Sequence, residues 1–144
     1  MEEGKKIRKV YSYYVMDIVH KGHLLQMKNS KAIAGEDGIS IVGILTDEAT
    51  MEKKPRPAIP FDERMDIAQT IKHVDVVVPQ ETYSPLSNIK KIKPDVVMES
   101  ASHDEKDIAE LREYMESIGG EVIMLPYYPP QSSTNIKNRI KNGK

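Results

Sequence analysis

No cysteine occurs anywhere in the 144 residues. That excludes a disulfide framework, a thiolate nucleophile and any zinc site built on sulfur. Long apolar runs are missing as well. The longest, Ile39–Leu45, is far short of the roughly 20 residues a bilayer span requires. The chain opens on Lys5, Lys6, Arg8 and Lys9, with no apolar stretch behind them to form a secretory leader. Nor is there an excess of charge of one sign, because 21 basic and 22 acidic side chains nearly cancel. No global field draws the protein to nucleic acid or to an anionic membrane, so neither is expected as a partner. A cytoplasmic location fits this set of absences. Against them stands a hydrophobic fraction of 39% with 8 glycines, close to the globular average of about 45–50% apolar. A core can be built, and the length suits one domain over residues 1–144.

Short β-branched runs alternate with helical patterns along the whole chain. Ile7–Val15, Ile39–Leu45, Val74–Val78, Asp95–Met98 and Glu121–Leu125 read as strands. Ile39–Leu45 is a continuous apolar run of the kind buried on both faces of a parallel sheet. Helical patterns cover His20–Ala34, Phe61–Lys72, Leu86–Ile92, Asp104–Ile118 and Thr134–Ile140. In the first helix Leu24, Leu25, Met27 and Ala32 are the candidate inward residues. Pro79 is expected to stop the third strand, and Met51–Pro60 reads as a Lys/Pro/Arg-rich loop. Strict alternation of this kind predicts an α/β fold: a single Rossmann-like doubly wound domain with a mostly parallel five-stranded sheet. In such sheets ligands bind outside the carboxyl ends of the strands.

His20-Lys21-Gly22-His23 falls at that place, after the first strand and at the start of the first helix. Residues at i and i+3 on a helical turn share a face. A helix N-terminus adds unpaired N–H groups and a positive dipole end, which favour phosphate. Two imidazoles there can donate to charge developing on a triphosphate. Gly22 lets the backbone approach closely, and Asp17 lies just upstream. His73 and His103 have no comparable setting.

The run Asp17-Ile18-Val19-His20-Lys21-Gly22-His23 resembles the signature of the HxGH nucleotidyltransferases. Leu45-Thr46-Asp47-Glu48, Lys53-Lys54 and Asp62-Glu63-Arg64 continue the pattern in order, and Gln131-Ser132-Ser133-Thr134-Asn135-Ile136 is similar to the family's second signature. Within that superfamily the chain looks most like the cytidylyltransferases, both those acting on glycerol 3-phosphate and the domains associated with phosphonate biosynthesis. The resemblance implies a transferase that couples CTP to a small phosphonate or phosphorylated alcohol and releases pyrophosphate. An adenylyltransferase on the same fold and a nucleotide-binding module without turnover are the alternatives.

Carried over residue by residue, the resemblance makes His20, His23 and Lys53 catalytic. It places Tyr14, Val15, Met16, Asp17, Gly22, Arg64, Ser132, Ser133 and Thr134 at the nucleotide. Lys54, Tyr127 and Tyr128 become candidates on the acceptor side. Mg²⁺ is implied as the companion of the triphosphate, held by few protein ligands and no direct one, and a homodimer is implied by the family alone. The chain also departs from its relatives. Tyr14 stands where many have glycine, Glu99-Ser100-Ala101-Ser102 replaces Gly-Asp-Asp-Trp, Tyr127 takes the place of an arginine and Pro130 that of a glycine. These changes fall where base and acceptor are recognised, which implies kept chemistry with altered specificity.

Overall fold

The computed structural model describes residues 6–100, 105–125 and 133–143, with only the backbone at 125. In chain order the elements are β1 (Lys9–Tyr14), α1 (Lys21–Ala34), β2 (Ile39–Leu45), α2 (Asp47–Met51), α3 (Phe61–Gln69), β3 (Val76–Gln80), α4 (Leu86–Ile92), β4 (Val96–Ser100), α5 (Glu105–Ser117), β5 (Glu121–Leu125) and α6 (Ser133–Asn142). All five strands run parallel in the order β3-β2-β1-β4-β5. The chain winds outward from β1 through β2 to β3, then returns to the other side of β1 with β4. The switch point therefore lies between β1 and β4, whose carboxyl ends are where an open sheet of this kind receives a ligand.

Sequence explains most of this directly. In β2 every residue from Ser40 to Leu45 is buried, as a strand covered on both faces requires. Tyr11, Tyr13, Ile41, Leu45 and Val97 pack with Ile89 of α4 and with Leu111 and Met115 of α5 on one face. On the other face Met27 of α1 and Ala68 of α3 meet Met16, Val42 and Ile44, while Ala34 of α1 packs on Val10 and Val96. One close approach is obligatory. The Tyr11 hydroxyl crosses over Gly43 of the neighbouring strand to donate to Gln80 Oε1 at 2.6 Å, and a Cβ at position 43 would lie 2.0 Å from the Tyr11 oxygen.

Three expectations need correction. β3 passes through Pro79 to Gln80. It is an edge strand, and Pro79 is exposed there, where a missing N–H breaks no ladder bond on the open side. Met51 belongs not to the expected Met51–Pro60 loop but to the end of α2, which Thr46 caps, its Oγ1 accepting from Ala49 N at 3.0 Å. Thr followed by Asp47 and Glu48 in a first turn was a start signal available in the sequence. In α1, Leu24 is 42% exposed and Ala32 is exposed, whereas Met27, Ser30 and Ala34 are buried. His23, Met27, Ser30 and Ala34 form one stripe, so the rotation that turns His23 toward the strand ends carries the other three onto the sheet.

Candidate active site

At the carboxyl edge of the sheet the chain leaves β1 through Val15 and Met16. Met16 is buried with φ 59°, a left-handed conformation that a side chain of this kind adopts at a cost of about 1–2 kcal/mol. The turn aims Asp17 inward and delivers His20 as the N-cap of α1. His20 Nδ1 accepts from Gly22 N at 3.0 Å, and His23 Nδ1 accepts from His20 N at 3.2 Å. This reciprocal pattern is a capping box made from two histidines. It also fixes their tautomers. A neutral imidazole whose Nδ1 accepts must carry its hydrogen on Nε2, so both rings keep an Nε2–H donor. The ring centroids are 4.0 Å apart, and Tyr14 meets His23 edge-on at 5.8 Å. Burial, with the nearby His20 adding to it, pushes the His23 imidazole down to about 3, and burial lowers His20 as well. Both are held neutral at physiological pH.

These rings line a cavity of about 640 Å³. One wall comes from the loop after β1, from α1, from the segment 54–57 and from α6: Val15, Met16, Asp17, His20, Gly22, His23, Lys54, Arg56, Ser133, Thr134, Lys137 and Asn138. Asp17 is its hub. Oδ1 accepts from Ile59 N at 2.8 Å, and Oδ2 accepts from Ala58 N at 2.9 Å and from Lys137 Nζ. Burial opposes the charge of Asp17, but the Lys137 bond and the two backbone N–H groups outweigh it and hold the carboxyl below its usual range. Ser133 Oγ donates to Ile18 O at 2.9 Å and faces Ile18 N at 3.3 Å, which docks the start of α6 against the turn. Lys54 is lowered by burial and then by the charge of Lys137, and both side chains line the same cavity as the histidines. Like charges brought together around N–H donors and a helix start make a receptor for a polyanion.

The opposite wall is different. Tyr13, Tyr83, Met98, Glu99 and Ser100 line it, from β1, β4 and the segment before α4. The Tyr13 hydroxyl donates to Glu99 Oε2 at 2.6 Å, and Ser100 N donates to Glu99 Oε1 at 2.9 Å. Burial drives the Glu99 carboxyl up to about 7, with Asp107 adding to it and the bonds from Tyr13 and Ser100 resisting. Tyr13 is raised by burial and by the charge of Glu99.

Of the residues singled out in the sequence, Tyr14, Val15, Met16, Asp17, Gly22, His20, His23, Lys54, Ser133 and Thr134 meet at this cavity. Two do not line it. Arg64 is fully buried in α3, where its guanidinium donates to Ile59 O, Val15 O and Leu45 O at 2.6–2.9 Å and pairs with Asp47 at 2.7 Å. It ties together the carboxyl ends of β1 and β2, which supports the site from beneath. Lys53 turns toward α5, with Nζ 3.5 Å from Asp107 and 5.3 Å from the centroid of the Tyr83 ring. Ser132, Tyr127 and Tyr128 lie outside the described residues. Lys137, Tyr13 and Glu99 were missed. Lys137 sits three residues after Thr134, on the same face of its helix, and that spacing was a usable signal. The Tyr13–Glu99 bond joins residues 86 apart, which local pattern does not reveal.

Comparison with known proteins follows the same outline. The family model described as cytidylyltransferase-like matches residues 15–139, well over half of the chain. The chain belongs to the cytidylyltransferase-like family. Among curated proteins of this relationship, the bifunctional protein HldE of Yersinia enterocolitica is 33% identical over 144 residues, covering 99% of this chain and 29% of that protein. HldE of Yersinia pestis is 32% identical over 145 residues, again covering 29% of its length. The chain thus spans about three tenths of these relatives. Among solved structures, a lipopolysaccharide core biosynthesis protein from Thermoplasma volcanium superposes with a TM-score of 0.70 at 22% identity, over 85% of this chain and 98% of that one. A protein of unknown function from Archaeoglobus fulgidus gives 0.65 at 14% identity, over 87% and 93%. Both share the fold of the cytidylyltransferase-like chain. Among the described residues no helix is long and apolar enough to cross a membrane.

Proposed function

We propose that this member of the family is a cytidylyltransferase that couples CTP to a small phosphonate or phosphorylated alcohol, giving a cytidylyl-linked product and pyrophosphate. The observation that carries the reading is the pair of Nε2–H donors on His20 and His23 at the start of α1, set beside Lys54 and Lys137 in one cavity. An acceptor phosphate or phosphonate oxygen is already anionic and needs no general base. It attacks the α-phosphorus in line, the bond from that phosphorus to the bridging oxygen breaks, and the electron pair leaves on pyrophosphate. Positioning and charge stabilisation supply most of the acceleration in such a step. The imidazole N–H groups meet the charge growing on the bridging oxygen. Lys54, Lys137 and the hydroxyl of Thr134 hold the phosphates that depart, at a helix start that Ser133 docks against the turn.

Mg²⁺ would supply further charge neutralisation on the phosphate oxygens. Among the described residues no cluster of three histidine or acidic side chains stands ready for a metal. The oxygens of Asp17 accept from Ala58, Ile59 and Lys137. This donor set suits an ion carried by the triphosphate and water. A homodimer is part of the same reading, and sedimentation of the purified chain tests it.

The decisive experiment is pyrophosphate release with each of the four nucleoside triphosphates, with and without Mg²⁺, against phosphorylated alcohols and phosphonates. Magnesium-dependent release with CTP is the expected result. Release with ATP alone would make the chain an adenylyltransferase. Tight CTP binding in calorimetry without release from any acceptor would make it a silent binding module.

A further inference from the structure

Of the two histidines His23 is the more deeply buried, and the aim of its Nε2–H depends on how its ring is held. The bond from His20 N to its Nδ1, at 3.2 Å, fixes the tautomer. A bond at one ring atom still leaves an imidazole free to turn about it. Both ends of that bond belong to the N-cap and first turn of α1, so it does not fix the ring relative to the strands. The His20 ring, with its centroid 4.0 Å away, sits on the same turn. Tyr14 is different. It is the last residue of β1, in register with Ile44 of β2, and its ring meets that of His23 at 5.8 Å and 88°. Edge-to-face contact is a preferred arrangement of two rings and orients one plane against the other.

Tyr14 is itself anchored along its length. Alternation along β1 puts it on the same sheet face as Val10 and Ser12, under α1. It packs against the cluster of Met16, Met27, Val42, Ile44 and Ala68. Its hydroxyl is buried, and burial pushes it up to about 12, with the neighbouring Ser12 of β1 and Ser30 of α1 resisting. The side chain therefore meets α1 at His23 and again near Ser30, two turns further on, with the sheet beneath.

We propose that Tyr14 is the positioning residue for His23: its ring sets the plane of the imidazole, and so the line along which Nε2–H meets the charge on a departing phosphate. The departing phosphate rests on the transferase reading, whereas the hold on the ring is a property of the protein without ligand. A donor stabilises developing charge only when its N–H is aimed at it beforehand. Misplacement by about 1 Å can cost about 10²-fold in rate.

Tyr14→Leu keeps apolar bulk on Met27 and Ile44 and removes the flat ring. In protein without nucleotide, nitrogen NMR spectra of the imidazoles should show wild-type His23 in one form, protonated at Nε2. Tyr14→Leu should give a second His23 form or exchange broadening. With CTP and the acceptor that the wild type uses best, Tyr14→Leu should lower kcat by roughly 10–10²-fold and leave KM for CTP within about threefold. Tyr14→Phe, which has the ring again, should recover most of that loss. Added to His23→Ala, Tyr14→Leu should lower kcat by less than about threefold more, because the ring it held is gone. Should Tyr14→Leu fail to fold, Tyr14→Met takes its place. Both tautomers of His23 in the wild type overturn the proposal. So do undisturbed His23 signals in Tyr14→Leu, a Tyr14→Phe loss as large as that of Tyr14→Leu, or an undiminished Tyr14→Leu loss on the His23→Ala background.

The spectra separate the two readings. Disturbed His23 signals in Tyr14→Leu, with no pyrophosphate release by the wild type from any acceptor, would sustain the role of Tyr14 and sink the transferase. Release by the wild type with undisturbed His23 signals in Tyr14→Leu would do the reverse.

Discussion

The two walls of the cavity are built on opposite logic. The wall from α1, 54–57 and α6 concentrates donors and positive charge, and it keeps its histidines neutral by burial. The wall from β1 and β4 concentrates acceptors around a buried carboxyl that burial drives up to about 7. The first wall is carried by short-range features, a helix start and residues at helical spacing. The second depends on which strands are neighbours. Donors gathered at one turn and two helix ends come from local features, while the Tyr13–Glu99 pair exists only once β1 and β4 are side by side.

The sharpest way to break the comparison is His23→Ala. Removing one donor to the departing charge should lower kcat by about 10²–10³-fold. The fall should be the same for every acceptor, because the departing group is the same. A loss confined to one acceptor would merge the two walls. Arg64→Met tests the platform beneath both. Leaving Asp47, two strand-end carbonyls and the Ile59 carbonyl without their buried partner should lower unfolding stability by about 3 kcal/mol in urea titration. Asp17→Asn keeps the shape of the hub and removes its charge. It should cost about 2 kcal/mol of stability and weaken pyrophosphate binding in calorimetry.

The pH slopes have opposite signs for the two walls. His23 titrates near 6.5 unfolded and near 3 folded. Its contribution is complete above 6.5 and is lost as pH falls from there toward 3, because the unfolded chain takes up the proton first. Glu99 titrates near 4.5 unfolded and near 7 folded, so its contribution is complete below 4.5 and is lost as pH rises through 7. Stability measured against pH should lose its acid-side fall in His23→Gln and its fall between 4.5 and 7 in Glu99→Gln.

Much of the donor wall was legible in the sequence because its determinants are local. Spacing placed His20 and His23 at a helix start, and Ser133 and Thr134 at another. The five strands were legible as β-branched runs, and all five helices expected begin within one residue of their observed starts. The failures share a cause. Pro79 stays in β3 because the strand is an edge, and edge position is a property of the assembled sheet. Leu24 and Ala32 face outward because the phase of α1 is set by where His23 must point. Arg64 looks in sequence like any cation on a charged helix. Only the convergence of Val15, Leu45, Asp47 and Ile59 on it reveals a buried clamp.

The way α6 is attached bears on the order of events in folding. No residue of that helix is buried. Ser133 grips Ile18 across 115 residues of chain, and Lys137 grips Asp17 across 120. Closing loops of that length is entropically late, and little apolar burial rewards it. The sheet can therefore reach its stable packing before the last wall of the cavity arrives. Tyrosine fluorescence should recover during refolding ahead of nucleotide binding.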